Sequence, residues 1–413
     1  MSLFLIISLL VITSALYSYI NARFIKLPVT IGITVIATLI SILIIVVDHF
    51  NPSFQKYLTA LAKNIDFSET VLNIMLGFLL FAGSFNLDTN KLKREMRPVL
   101  ILSTVGVILS TTIFGYLFYE ATLLINIKIP LIYCFVFGAL VSPTDPVAVS
   151  AIIKRTKLPS HLETIITGES LFNDGVGLVL FITLLEIAQN SDSHFELVKT
   201  VVLFCREVFG GIGIGLLVGY LVHYLMKSIN DFQTIVLLSL GMVMGLSVIA
   251  TIFHLSVPLA VVTAGIITGV QSINSTSKEN SHQSLEKFWK LIDEILNTIL
   301  FVMIGIQIVE LPFINNYWLA GGVGIILILI ARWVSIILPL TFLRHTLQLP
   351  YKNVNILTWA GLRGGISIAL ALSLPHNHYR TIILSSAYFI VIFSVIVQGL
   401  TLDRLIAKSY NSD

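Results

Sequence analysis

Two carboxylates and an amide fall inside one apolar run, Gly168-Glu169-Ser170-Leu171-Phe172-Asn173-Asp174-Gly175-Val176-Gly177. On a helix, residues four apart are neighbours, so Ser170 with Asp174 and Glu169 with Asn173 form adjacent rows on one polar face. A third acid, Asp145, lies upstream in Val141-Ser142-Pro143-Thr144-Asp145-Pro146-Val147, again within apolar sequence. A charged side chain at the centre of a bilayer costs roughly 2.5 to 3.5 kcal/mol, so such acids need a partner, water or a cation. Carboxylate, hydroxyl and carbonyl oxygens suit hard cations, and no Cys/His cluster has transition-metal spacing. Arg363, in Gly361-Leu362-Arg363-Gly364-Gly365, is fixed positive and needs one anion, which Glu169 or Asp145 can supply. At least one acid is then left to hold either a proton or a cation, and Asp174 is the choice. Competition of H⁺ and Na⁺ for that carboxylate, with access alternating between two sides, gives antiport without ATP.

The elements that position these groups are membrane spans. Of the 413 residues 56% are hydrophobic and 11% charged, against about 25% charged in a soluble domain, and mean hydropathy is +0.93. The composition therefore predicts an all-α polytopic membrane protein, and a net charge of +3 gives nucleic-acid binding no support. Cys134 and Cys205 lie in apolar spans and read as buried packing. The run from Leu3 to Ile20 reads as a retained first span, because nothing basic precedes it while Arg23 and Lys26 follow.

Thirteen apolar runs approach the length of about 20 residues that a crossing helix needs. The first seven are 3–20, 27–47, 71–87, 99–122, 131–153, 162–188 and 198–226. The other six are 233–253, 256–270, 288–309, 318–342, 354–374 and 381–402, and residues 271–287 read as a polar loop. With the N-terminus outside and the C-terminus cytoplasmic, seventeen of the 25 basic residues fall inside, among them Lys91, Lys93, Arg94, Arg97, Lys154, Arg155, Lys157 and Lys278. Five (Lys56, Lys63, Lys128, Lys199 and Arg380) fall outside, and Arg206, Arg332 and Arg363 fall within spans. That bias follows the positive-inside rule. If spans 1–6 and 8–13 are inverted repeats, span five corresponds to span twelve, and both are interrupted, one by Pro143 and Pro146, the other by the glycines around Arg363.

The three motifs together resemble the sodium/proton antiporters of the NhaP and eukaryotic sodium/proton exchanger branch. They are Ser142-Pro143-Thr144-Asp145-Pro146-Val147-Ala148-Val149, Gly168 to Asp174, and Ala360-Gly361-Leu362-Arg363-Gly364-Gly365, with weaker support from His254 to Ala260. The resemblance implies that Asp174 exchanges the ion and the proton, and that Asp145, the Thr144 carbonyl and the Ser170 hydroxyl complete the Na⁺ site. It further implies that Glu169 pairs with Arg363 and that Asn173 stabilises the crossing, with the Asn-Asp order suggesting one cation for one proton. A homodimer in a bacterial inner membrane is also implied, with spans 1–3 and 8–10 as dimerisation part and spans 4–6 and 11–13 as transport core. The expected ligands are Na⁺, Li⁺ or K⁺ and H⁺, with no cofactor, no enzymatic activity and no soluble domain.

Two other classes meet obstacles in the residues. An intramembrane aspartyl protease also needs two Asp on neighbouring spans, yet its Gly-x-Gly-Asp is missing and it gives Arg363 no role. A passive cation channel fits a lone carboxylate beside a buried ion pair less well than tight binding with alternation does. Arg332 sits in mid-span with no partner legible from sequence, and His254, His376 and His378 fall at loops or span ends.

Overall fold

The computed structural model describes residues 3–50, 67–146, 149, 156, 158–189, 197–270, 279–310, 317–347, 349–377 and 379–410. Lys56, Lys63, Lys154, Arg155, Lys157, Lys278 and His378 lie outside them, as do Val147 and Ala148 of the proline motif. Every regular element among the described residues is helical, as expected where the solvent cannot satisfy backbone N–H and C=O groups.

In chain order the helices are α1 (Leu3–Ile20), α2 (Val29–Phe50), α3 (Phe67–Phe85), α4 (Thr89–Arg94), α5 (Met96–Leu124), α6 (Leu131–Val141) and α7 (Ser160–Gln189). There follow α8 (Leu197–Ser228), α9 (Phe232–Ile252), α10 (Val257–Val270), α11 (Glu279–Gln307) and α12 (Tyr317–Phe342). The last are α13 (Val354–Trp359), α14 (Gly365–Leu372) and α15 (Arg380–Tyr410). Each of the thirteen apolar runs carries at least one of these helices, the run 354–374 carrying both α13 and α14, and among the described residues nine helices are long and apolar enough to cross a membrane unaided.

The boundaries differ from the apolar runs where a helix has a polar face to use. Residues 279–287 are not loop but the first turns of α11, because Leu285 and Trp289 are buried there while Glu286 and Lys290 border a cavity. Elsewhere the polar starts are capped: the Asp88 carboxylate accepts from the amides of Asn90 and Lys91 (3.0 and 3.1 Å), and Asp231 accepts from the Thr234 amide at 2.8 Å.

The helices α5, α6, α7, α12, α14 and α15 pack on one another, and α3, α8, α9, α10 and α11 form a second set to which α1 and α2 attach through α11. The two sets meet where α7 packs against α8 and α10 and where α14 packs against α3. Small residues allow the closest approaches, as is usual between membrane helices. A Cβ at Gly177 of α7 would collide with the Pro143 ring, so this glycine lets α7 lie against the end of α6. Gly177→Ala is therefore expected to cost about 1 to 3 kcal/mol through overpacking, read as a lower melting temperature in detergent, whereas Gly241→Ala, with open space around it, should leave that temperature unchanged.

Candidate functional site

Two helices break in the middle of the first set. Helix α6 ends at Val141, and Ser142 to Asp145 are not helical; likewise α13 ends at Trp359 and α14 begins only at Gly365. Both breaks were legible from Pro143, Pro146 and the glycines. What the fold adds is that they cross: the Asp145 amide donates to the Leu362 carbonyl at 2.7 Å.

Unwound backbone deep in a membrane protein must find other partners, and each break does so through polar side chains of neighbouring helices. At the second break the Arg363 amide donates to Ser394 Oγ (2.8 Å) and Gln398 Nε2 donates to the Trp359 carbonyl (3.3 Å). Ser394 and Gln398 bound a π-helical turn within α15, a widening often found beside functional sites. At the first break Ser142 Oγ donates to Ser110 Oγ (3.0 Å) and accepts from Thr111 Oγ1 (3.2 Å), both on α5. Thr144 is held twice by one amide: its N–H donates to Asn173 Oδ1 at 3.2 Å and its hydroxyl accepts from Asn173 Nδ2 at 2.8 Å. The Thr144 and Ser170 hydroxyls share a further bond at 2.8 Å. Asn173 is fully buried, so Asn173→Ala should leave the Thr144 amide unpaired and lower stability by about 1 to 3 kcal/mol, which a thermal melt would register.

The expected Glu169–Arg363 pair does not form. Glu169 is instead paired with Arg332 of α12, Nη1 to Oε1 at 2.5 Å and Nη2 to Oε2 at 2.8 Å, with both side chains almost completely buried. This two-pronged geometry is the strongest form an arginine–carboxylate contact takes. Arg363, also buried, turns its Nη1 to the carbonyls of Ser142 and Pro143, the latter at 2.9 Å. The physical reason is local: carbonyls at the end of a helix lack amide partners and carry the negative pole of its dipole, so a cation from the crossing strand is drawn there. Arg332 was recognised only as an unexplained mid-span charge, because contacts between distant helices leave no trace in spacing.

Asp145 and Asp174 are the remaining charges. The Asp145 carboxylate lies against Gly364, where a Cβ would collide with it. Gly364→Ala must displace the Asp145 carboxylate, and its melting temperature in detergent should fall further than that of Gly361→Ala, whose Cβ would meet Arg332 Nε at 3.0 Å. Asp174 is 3% exposed and borders the same cavity as Asp145. Among the described residues no cation pairs with the Asp174 carboxylate.

Asp174, Asp145 and Thr144 border a cavity of about 1020 Å³ whose rim includes the exposed residues Asp88, Glu286 and Lys290. Seven carboxyl groups line it against two ammonium groups, Lys91 and Lys290. Ser170 stands behind this surface, reaching it through the Thr144 hydroxyl. The structure thus gathers Thr144, Asp145, Ser170, Asn173 and Asp174 at one crossing. Glu169 and Arg363 lie beside it in separate contacts.

The sequence matches the family described as "Sodium/hydrogen exchanger, transmembrane" over residues 9–408. It is 37% identical over 402 residues to the Na⁺/H⁺ antiporter NhaP of Pseudomonas aeruginosa, covering 96% of this chain and 95% of that one. It is 31% identical over 357 residues to the Na⁺/H⁺ antiporter NhaH of Halobacillus dabanensis, covering 86% of each. The fold is similar to that of the sodium proton antiporter MjNhaP1 of Methanocaldococcus jannaschii, with a TM-score of 0.79, 20% identity and 99% of both chains covered.

Proposed function

The chain belongs to the sodium/hydrogen exchanger family, and we propose that it exchanges Na⁺ or Li⁺ for H⁺, one for one, through competition of the two for the Asp174 carboxylate. The observation that carries this reading is the charge balance at the crossing. Arg332 and Arg363 supply two positive charges, and Glu169, Asp145 and Asp174 three negative ones, in a region where uncompensated charge is costly. One monovalent cation or one proton brings the set to neutrality. Holding both leaves an excess positive charge, and holding neither an excess negative one.

The loaded states with Na⁺ and with H⁺ therefore carry equal charge, and a membrane potential does no work on the exchange. A potential of 100 mV would otherwise contribute about 2.3 kcal/mol per charge moved. Thr144 and Ser170 add neutral oxygens beside Asp145 and Asp174, a donor set suited to a small hard cation. The six-helix set holding both breaks serves as transport core, and the set containing α1, α2, α3 and α11 as the dimerisation part, since it leaves apolar faces such as that of α1 open. The excess of Lys and Arg on one side supports a cytoplasmic cavity rim, in keeping with a bacterial inner-membrane protein.

A cation series in proteoliposomes with an entrapped pH dye tests this reading. Na⁺ and Li⁺ should each dissipate an imposed pH gradient, and K⁺ should do so weakly; a response to K⁺ alone would replace Na⁺ by K⁺ as the substrate. Clamping the potential at zero with valinomycin and K⁺ should leave the Na⁺-driven rate unchanged, and clear stimulation would rule out one-for-one exchange.

A further inference from the structure

The peptide that joins Leu362 to Arg363 makes two hydrogen bonds, one on each side of the second break. Its carbonyl accepts from the Asp145 amide at 2.7 Å, and its N–H donates to Ser394 Oγ of α15 at 2.8 Å. One planar, rigid unit thus connects a buried serine to the backbone of Asp145. Hydrogen bonds chained in this way polarise one another, so the Ser394 oxygen strengthens the bond at the far end of the peptide. Asp145 meets the same segment again at Gly364, where its side chain packs so closely that a Cβ would collide with it. The segment 362–364 therefore sets the place of Asp145, and α15 holds the segment. Ser394, Gln398 and Thr401 follow at spacings of four and three and share one face of that helix. Gln398 Nε2 donates to the Trp359 carbonyl at 3.3 Å, and Trp359 Nε1 donates to Thr401 Oγ1 at 2.9 Å, which fastens the end of α13. Of the three, Ser394 is the one that bonds the peptide touching Asp145.

We propose that Ser394 is a positioning residue of the exchange site, acting through the 362–363 peptide to hold Asp145 where it and Asp174 share a cation. The inference rests on the reading of Asp174 and Asp145 as that site. Ser394 touches the peptide and not the ion. Its hydroxyl fixes in advance a carboxylate that the cation would otherwise have to order on binding, and the loss of such preorganisation weakens affinity more than it slows turnover.

In proteoliposomes, Ser394→Ala should raise half-saturation by Na⁺ about fivefold, the factor that one neutral hydrogen bond supplies, while the rate at saturating Na⁺ falls less than twofold. Ser394→Cys fills the same space with a much poorer acceptor; it should shift half-saturation nearly as far, and it serves if the alanine variant does not fold. Ser394→Thr keeps the acceptor and should hold half-saturation within about twofold of the unsubstituted protein, even where its added methyl lowers the melting temperature. Thr401→Ala loosens only the Trp359 indole, so it should lower the melting temperature and leave half-saturation unchanged. An unchanged half-saturation in folded Ser394→Cys, or an equal rise in Ser394→Thr or Thr401→Ala, would overturn the assignment and leave Ser394 a partner that serves folding alone. Coupled transport by Asp174→Asn would instead overturn the exchange-site reading, so the two failures are distinguishable.

Discussion

Asp174→Asn proteoliposomes are expected to show no Na⁺-driven proton movement above that of protein-free vesicles, a loss of at least a hundredfold. The amide has nearly the shape of the carboxylate but can neither carry the proton at working pH nor balance a cation, so both halves of the exchange fail together. Folding should not suffer. A buried carboxylate with no cationic partner among the described residues is costly to keep charged, and a neutral isostere removes that cost, so the melting temperature should stay level or rise. Dye-monitored transport and a thermal melt on the same preparation separate the two effects. Persistent coupled exchange in a folded Asp174→Asn protein would move the exchange site elsewhere, with Asp145 next in line because it borders the same cavity.

The second large effect concerns stability rather than turnover. Arg332→Met should destabilise the protein by about 3 to 5 kcal/mol, because it leaves the Glu169 carboxylate buried with its two hydrogen-bonding guanidinium nitrogens gone. Replacing both partners, Glu169→Leu with Arg332→Met, should recover most of the loss, since apolar residues of similar volume often replace a buried ion pair at little cost. The same cycle on Glu169 and Arg363 should give a clearly smaller coupling, because Arg363 spends its hydrogen bonds on the Ser142 and Pro143 carbonyls and meets Glu169 only as a nearby charge. Coupling between 169 and 363 with none between 169 and 332 would refute the pairing. Arg363→Met should still impair exchange, through loss of the contact that holds the first break in place.

The chemistry was more legible in the sequence than the contacts that arrange it. Asp145, Asp174, Ser170 and Thr144 stand out because oxygen ligands and ionised groups are expensive in apolar surroundings, and that cost depends on residue type alone. Pro143, Pro146 and the Gly361 to Gly365 cluster likewise announce broken helices, since the missing amide and the missing side chains act locally. Asn173 was legible as a stabiliser of the crossing, though the double bond to Thr144 that makes it one was not.

Pairing across 163 positions, as between Glu169 and Arg332, has no local signature, and charge counting left Glu169 and Asp145 as equally valid anions for Arg363. Ser394 and Gln398 were silent for the same reason: a serine and a glutamine in a late span carry no sign that their partners are backbone groups of a break about 35 residues earlier. The polar start of α11 was read as loop because its periodicity only makes sense once a cavity lies on one side of it. Composition and motif spacing by themselves determined that this is a polytopic helical membrane protein with acids poised beside two broken helices, because burial cost and backbone chemistry are properties of single residues. Only the tertiary structure decided which arginine neutralises Glu169 and which side chains satisfy the unwound backbone, because those depend on distances between helices that sequence separation does not encode.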